Sequence, residues 1–181
     1  TAETPPPVWE DGPARLLDYG VAAPGGTDGL PVLFVPSLVN RSYILDLLPE
    51  RSLMRFLATR GIRPLLLDWG TPDAPALARS LDDYIGGAMR DALAAANACA
   101  GGRPVPVVGY CMGGTMAAAL ACLEPSGISA LALLAAPWDF HAGTGGPPPM
   151  ISAGQASFEA VLAAAGCLPT DVIQTLFFGL D

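Results

Sequence analysis

The sequence contains no lysine; its nine basic residues are all arginine. That absence excludes a phosphate loop of the Walker type and any mechanism that runs through a lysine Schiff base. Positive charge is scarce altogether. A net charge of -8, a pI near 4.4 and no basic cluster argue against a phosphate backbone as partner, so no nucleic acid is expected. Long apolar runs are also missing: stretches such as Ile128 to Trp138 fall well short of the roughly 18 residues of a membrane span. The mean hydropathy of +0.43 is therefore read as buried strands and helices. No cationic start and no apolar signal core directs the chain to secretion. The four cysteines, Cys99, Cys111, Cys122 and Cys167, show no C-x-x-C spacing, and three of them sit among Ala and Leu as buried free thiols do. The expected compartment is a reducing cytoplasm. Because the chain begins with Thr1, an N-terminal threonine nucleophile has to be considered, and the Pro-rich start, Pro5 to Pro7, speaks against it.

What is present is one domain's length of chain, 181 residues, 51% hydrophobic and 14% charged, enough for a sizeable core. Residues 1–29, rich in Pro, Gly and Ala, read as a lead-in over the surface with one short strand at Arg15 to Tyr19. Four continuous apolar runs follow: Pro31 to Pro36, Arg63 to Trp69, Pro104 to Tyr110 and Ser129 to Ala136. Strands apolar at every position are those covered on both faces, the habit of parallel sheets. Helical patterns separate them, at Tyr43 to Thr59, Ala76 to Ala100 and Met112 to Leu123. Alternation of this kind predicts right-handed crossovers in a doubly wound, mostly parallel α/β sheet. After Trp138 the texture changes to Gly and Pro, Gly143 to Pro149, and then to a helical stretch from Ser152 to Leu180. The expected organisation is a lead-in over 1–29, an α/β core over 30–141 and the start of a cap subdomain over 142–181.

The sharpest local signal is Gly109-Tyr110-Cys111-Met112-Gly113, a G-x-C-x-G between an apolar strand and an Ala-rich helix. A nucleophile elbow needs small residues two before and two after the nucleophile, because the turn is tight and larger side chains would strike backbone. Gly109, Gly113 and Gly114 meet that need. The same turn sets Cys111 at a helix N-terminus, where the macrodipole and unpaired amides favour a thiolate. The plain alternative is a buried cysteine in a glycine-containing strand-to-helix turn, as in dinucleotide-binding folds. Those place their glycines after the first strand and an acidic residue at the end of the second. In an acyl-transfer elbow the oxyanion is held by the amide after the nucleophile and by one from the loop after an early strand. Met112 supplies the first. The second falls in Ser37 to Arg41, where Leu38 and Val39 are the candidates, and Val39 is taken as the donor; the plain reading of that loop is a helix lead-in.

The segment Pro36-Ser37-Leu38-Val39-Asn40-Arg41-Ser42-Tyr43-Ile44-Leu45-Asp46-Leu47 resembles a stretch of the polyhydroxyalkanoate synthases. Phe56-Leu57 through Gly61, Leu65 to Trp69 followed by Gly70-Thr71-Pro72, Leu81-Asp82-Asp83-Tyr84, and an elbow with Cys in the usual Ser position extend the similarity over roughly residues 14 to 141. Ser37 and Leu38 depart from the commonest letters of that family. The resemblance implies an α/β-hydrolase fold, and a cytoplasmic acyltransferase that polymerises 3-hydroxyacyl groups from CoA thioesters on the cysteine and associates with polyester granules. It implies no metal or bound cofactor, the CoA thioester being substrate. In such enzymes the triad Asp and His come much further along the chain, past a cap. The sheet is therefore expected to lack its last strands and most of the cap, and the chain alone to be weak or inactive.

The one histidine, His141 in Trp138-Asp139-Phe140-His141, lies where such folds begin their cap, and reads first as a loop residue and only second as a base. Asp139, Asp68 and Asp46 read as turn or helix caps, and Phe158, Phe177 and Phe178 as packing. Two other functions use the same residues: a cysteine esterase, thioesterase or polyester depolymerase, and a noncatalytic or split-subunit module. The partners expected are hydroxyacyl-CoA, the polyester product, and a second copy or complementary chain at the open sheet edge.

Overall fold

A computed structural model describes residues 3–39, 41–139, 149–166, 168–169 and 171–174. The chain divides into two compact units, Thr1–Pro137 and Trp138–Asp181. In the first, strands β1 (Pro7–Asp11), β2 (Ala14–Asp18) and β3 (Leu30–Val35) are followed by a small hairpin, β4 (Asp46–Leu48) with β5 (Arg51–Ser52), and by helix α1 (Leu53–Ala58). Then come β6 (Ile62–Asp68), α2 (Ala74–Leu77), α3 (Leu81–Asp83) running through a π-helical turn at Tyr84–Met89 into α4 (Arg90–Cys99), β7 (Val105–Tyr110), α5 (Met112–Leu123) and β8 (Ile128–Leu134). The second unit contributes α6 (Pro149–Ala165).

Six strands form one sheet in the order β1-β2-β6-β3-β7-β8. The pairs β3–β6, β3–β7 and β7–β8 are parallel, while β1–β2 and β2–β6 are antiparallel. The expected doubly wound, mostly parallel α/β sheet is what the chain forms. Alternate residues of the central strands feed two cores, as a period of two requires. Leu33 and Val35, Leu65 and Leu67, and Val105 and Val107 pack with Met89, Leu93, Ala96, Met116 and Leu120 of the helices on one face. Val32, Phe34 and Leu66 pack with Tyr19, Leu45 and Met54 on the other.

Three segments differ from the sequence expectation. Residues 7–18 do more than cover the surface: β2 pairs with β6 from Arg15↔Asp68 to Asp18↔Leu65, and Leu16 and Leu17 are core. The helix expected over Tyr43 to Thr59 shrinks to α1, preceded by a 3-10 turn at Ser42–Leu45 and the β4–β5 hairpin. Pro49 has no N–H to donate and would crowd the carbonyl four residues before it, so a helix cannot run through it. Ser52 instead caps α1, its Oγ accepting the Arg55 N–H at 3.0 Å. The long helix expected over Ala76 to Ala100 is broken at Ser80, which forms a reciprocal capping box with Asp83. The Phe177 and Phe178 positions lie outside the described residues. Among the described residues no helix is long and apolar enough to cross a membrane.

Candidate active site

Chain order and sheet order together mark the candidate site. From β3 the chain crosses to β6 on one side, then returns to lay β7 on the other side of β3. Ligands of open α/β sheets bind beyond the carboxyl ends of the strands where that reversal occurs. Here the reversal lies between β3 and β7, paired in register from Leu33↔Val107 to Val35↔Gly109. The loop after β3 carries Leu38 and Val39, and the turn after β7 carries Cys111.

Cys111 is the N-cap of α5 with φ 54° and ψ -130°, a backbone conformation that non-glycine residues adopt rarely and at a cost. The strain is held from both sides. The Cys111 N–H donates to the Leu134 carbonyl of β8 at 2.9 Å, and the Cys111 carbonyl accepts the Gly114 N–H at 2.8 Å. Two glycines are required by close approach. A side chain at Gly109 would collide with the backbone of Gly114, and one at Gly113 with the carbonyls of Val35 and Pro36. The latter contact shows that the first turn of α5 lies directly against the start of the β3 loop. Cys111 is partly exposed. Met112 opens α5, where helix geometry leaves the backbone N–H without an intrahelical acceptor.

The β3 loop is tied down by side chains. Ser37, 1% exposed, accepts the Val39 N–H on its Oγ at 3.1 Å. The Trp69 indole N–H donates to the Pro36 carbonyl at 3.1 Å, the Ser42 hydroxyl to Asp68 Oδ1 at 2.9 Å, and Arg41 to the Thr71 hydroxyl at 3.2 Å. Asp68 also accepts Arg15 on Oδ2 at 2.8 Å and the Gly70 N–H on Oδ1 at 3.1 Å. Its part is larger than the turn cap read from sequence. A cleft of about 220 Å³ opens beside the loop, lined by Leu38, Trp69, Pro72, Leu77, Arg79 and Tyr84.

Below the loop, Asp46 accepts the Tyr19 hydroxyl at 2.7 Å and Arg55 Nε at 3.1 Å. Burial works to raise the Asp46 carboxyl, but hydrogen bonds from Ser52, Tyr19 and Arg55 outweigh it and hold the group below the usual carboxylate range. Burial, and then the bond to Asp46, pushes the Tyr19 phenol well above its ordinary value. His141 lies outside the described residues, and Asp139 is the last described residue before it. Among the described residues no group of three or more His, Cys, Asp or Glu side chains is placed to hold a metal ion.

A family model described as alpha/beta hydrolase fold matches residues 31–154. The chain belongs to the α/β-hydrolase fold family. Within that fold its similarity is to the polyhydroxyalkanoate synthases, as the sequence resemblance indicated. It is 34% identical over 175 residues to the poly(3-hydroxyalkanoate) polymerase subunit PhaC of Haloferax mediterranei, an alignment covering 96% of this chain and 35% of that protein. It is 31% identical over 171 residues to PhaC of Allochromatium vinosum, covering 92% of this chain and 47% of the relative. This α/β-hydrolase chain thus spans between about a third and a half of the length of those relatives. Among solved structures, the thioesterase domain from the curacin biosynthetic pathway superposes with a TM-score of 0.56 at 18% identity, covering 85% of this chain and 50% of that one. A putative lipase from Acinetobacter baumannii gives 0.54 at 14%, covering 74% and 42%. Those two support the fold.

Proposed function

We propose that this chain is the nucleophile-bearing part of a polyhydroxyalkanoate synthase-type acyltransferase. The observation that carries the reading is Cys111 held at φ 54° on a strand-to-helix turn beside the β3 loop, in a chain similar to PhaC subunits along nearly its whole length. The Cys111 thiolate attacks the carbonyl carbon of a 3-hydroxyacyl-CoA, and the oxyanion takes hydrogen bonds from the amides of Met112 and Val39. Collapse of the tetrahedral species breaks the bond to the CoA sulfur, which leaves as a thiol once protonated, and the acyl group stays on Cys111. Chain growth follows when the hydroxyl of one hydroxyacyl unit attacks the thioester of another, losing its proton to a general base and freeing the thiol that held the attacked acyl group. The Val39 N–H is shared between Ser37 Oγ, 3.1 Å away, and the oxyanion, with Leu38 the neighbouring donor.

The base and its acidic partner come from residues outside the described set, from a following segment, or from a complementary chain. His141 is the secondary candidate for the base. The enzyme works without a metal or bound cofactor, in the cytoplasm at the surface of its polyester product. Mass spectrometry after incubation with 3-hydroxybutyryl-CoA tests the proposal. A Cys111-bound acyl adduct with release of CoA, absent in Cys111→Ala, is the expected outcome once the complement is supplied. Acyl release to water in place of growth on Cys111 would make the protein a hydrolase.

A second reading, a split-subunit module, is favoured by β8. This edge strand is apolar at six of its seven positions, yet Leu131, Leu133 and Leu134 are 38%, 43% and 41% exposed. We take its outer edge, unpaired among the described residues, as the place where a further strand joins the sheet. Co-purification of the chain with its C-terminal complement, lost on Leu133→Lys, is the expected result.

A further inference from the structure

The segment Asp68-Trp69-Gly70-Thr71, which begins on the last residue of β6, holds the β3 loop at both of its ends. At the near end the buried Trp69 indole donates to the Pro36 carbonyl. At the far end Asp68 takes the Ser42 hydroxyl and Thr71 takes Arg41. Leu38 and Val39 lie between these ties. The segment is itself fixed: Arg15 of β2 grips the second Asp68 oxygen, and Trp69 stands edge-on to Tyr84 with ring centroids 5.4 Å apart. A side chain at Gly70, whose φ is +66°, would run into the Pro13 carbonyl, so the turn lies flat on the β1–β2 connection. Tyr84 in turn donates to the Ala76 carbonyl at 3.1 Å.

We propose that this four-residue segment is a clamp that presets the oxyanion loop, with Trp69 and Asp68 as positioning residues for acyl transfer at Cys111. An oxyanion donor stabilises charge only if it is aimed before the charge forms, and a loop free to wander pays the reorganisation at each turnover. Neither side chain touches the reacting atoms. They act through Pro36 and Ser42 on the backbone between. The functional half of this inference rests on the acyl-transfer reading.

The experiment compares two reactions of the same thiol in the full chain. Alkylation of Cys111 by iodoacetamide creates no oxyanion, whereas acylation by p-nitrophenyl acetate does. Trp69→Phe keeps a ring against Tyr84 and removes the N–H, and Ser42→Ala removes one of the two far ties while leaving Arg15 on Asp68 and Arg41 on Thr71. In both variants acylation falls about tenfold or more relative to wild type, alkylation stays within about twofold, and amide hydrogen exchange quickens over residues 36–42 but not in β3 or β7. Ser42→Ala keeps the test valid should Trp69→Phe fold poorly. Equal loss of both reactions, or unchanged acylation, overturns the positioning role, and unchanged exchange overturns the clamp. A wild-type chain that takes the acetyl group of p-nitrophenyl acetate but never, with its complement, the hydroxyacyl group sinks the synthase reading and leaves the clamp standing.

Discussion

At the residue scale the site is governed by what cannot be there. No atom beyond hydrogen fits on the Cα of Gly109 facing Gly114, so Gly109→Ala must push β7 and α5 apart. The expected cost is about 1–3 kcal/mol of stability by urea unfolding, accompanied by loss of Cys111 acylation. Asp46 offers a pH test. Its carboxyl is lowered in the folded state, so its contribution is present above the unfolded value of about 4 and fades as pH falls through the folded one. Between pH 5 and 3 the wild type is expected to lose more stability than Asp46→Asn, read as the shift in urea midpoint; parallel curves would remove Asp46 from the acid response. The glycines of the elbow were legible in the sequence because their demand is local. The work of Asp68 and Trp69 was not, because each acts on a carbonyl or hydroxyl some 30 residues away, and nothing in Asp-Trp-Gly-Thr announces those partners.

At the element scale the sheet was readable from the unbroken apolar runs of β3, β6 and β7, since strands buried on both faces leave no polar alternate. What misled was helical length. Tyr43 to Thr59 has apolar spacing compatible with a helix, yet Pro49 and the Asp46 partners divide it into a turn, a hairpin and a short helix. Of the β1–β2 hairpin, β2 was legible as a short strand at Arg15 to Tyr19, but β1 escaped because Val8 and Trp9 are too few between prolines and acids to read as a strand, and the pairing of β2 with the distant β6 has no local signal. The π-helical turn at Tyr84–Met89 suggests a contrast with Gly109. A side chain at Gly86 would meet nothing within 4 Å, so Gly86→Ala is expected to stabilise the chain by about 0.5–1 kcal/mol. A destabilised variant would show that the turn needs glycine's backbone freedom.

At the scale of the whole molecule, β8 is the unresolved account in the fold's free energy. It pairs parallel to β7 from Val105↔Ile128 to Tyr110↔Leu134, and it holds Cys111 by accepting the Cys111 N–H on the Leu134 carbonyl. Parallel strands are ordinarily covered on both faces, and exposed edges are ordinarily blunted by charge, proline or a bulge in mid-strand. Ile128–Leu134, ISALALL, offers only Ser129 against association. Covering the exposed two-fifths of Leu131, Leu133 and Leu134 would contribute about 1 kcal/mol each, before any hydrogen bonds along the edge. Without a complement, the protein is therefore expected to self-associate through this strand, with a sedimentation coefficient that rises with concentration. Leu131 and Leu133 share a face, and changing both to Lys should restore a monomer, as edge lysines do elsewhere. Adding the C-terminal complement should do the same to the wild type by occupying the edge, while raising acylation at Cys111. A wild-type chain that stays monomeric at every concentration and ignores the complement would mean that the chain covers β8 by itself, and the catalytic base would then have to be sought within these 181 residues.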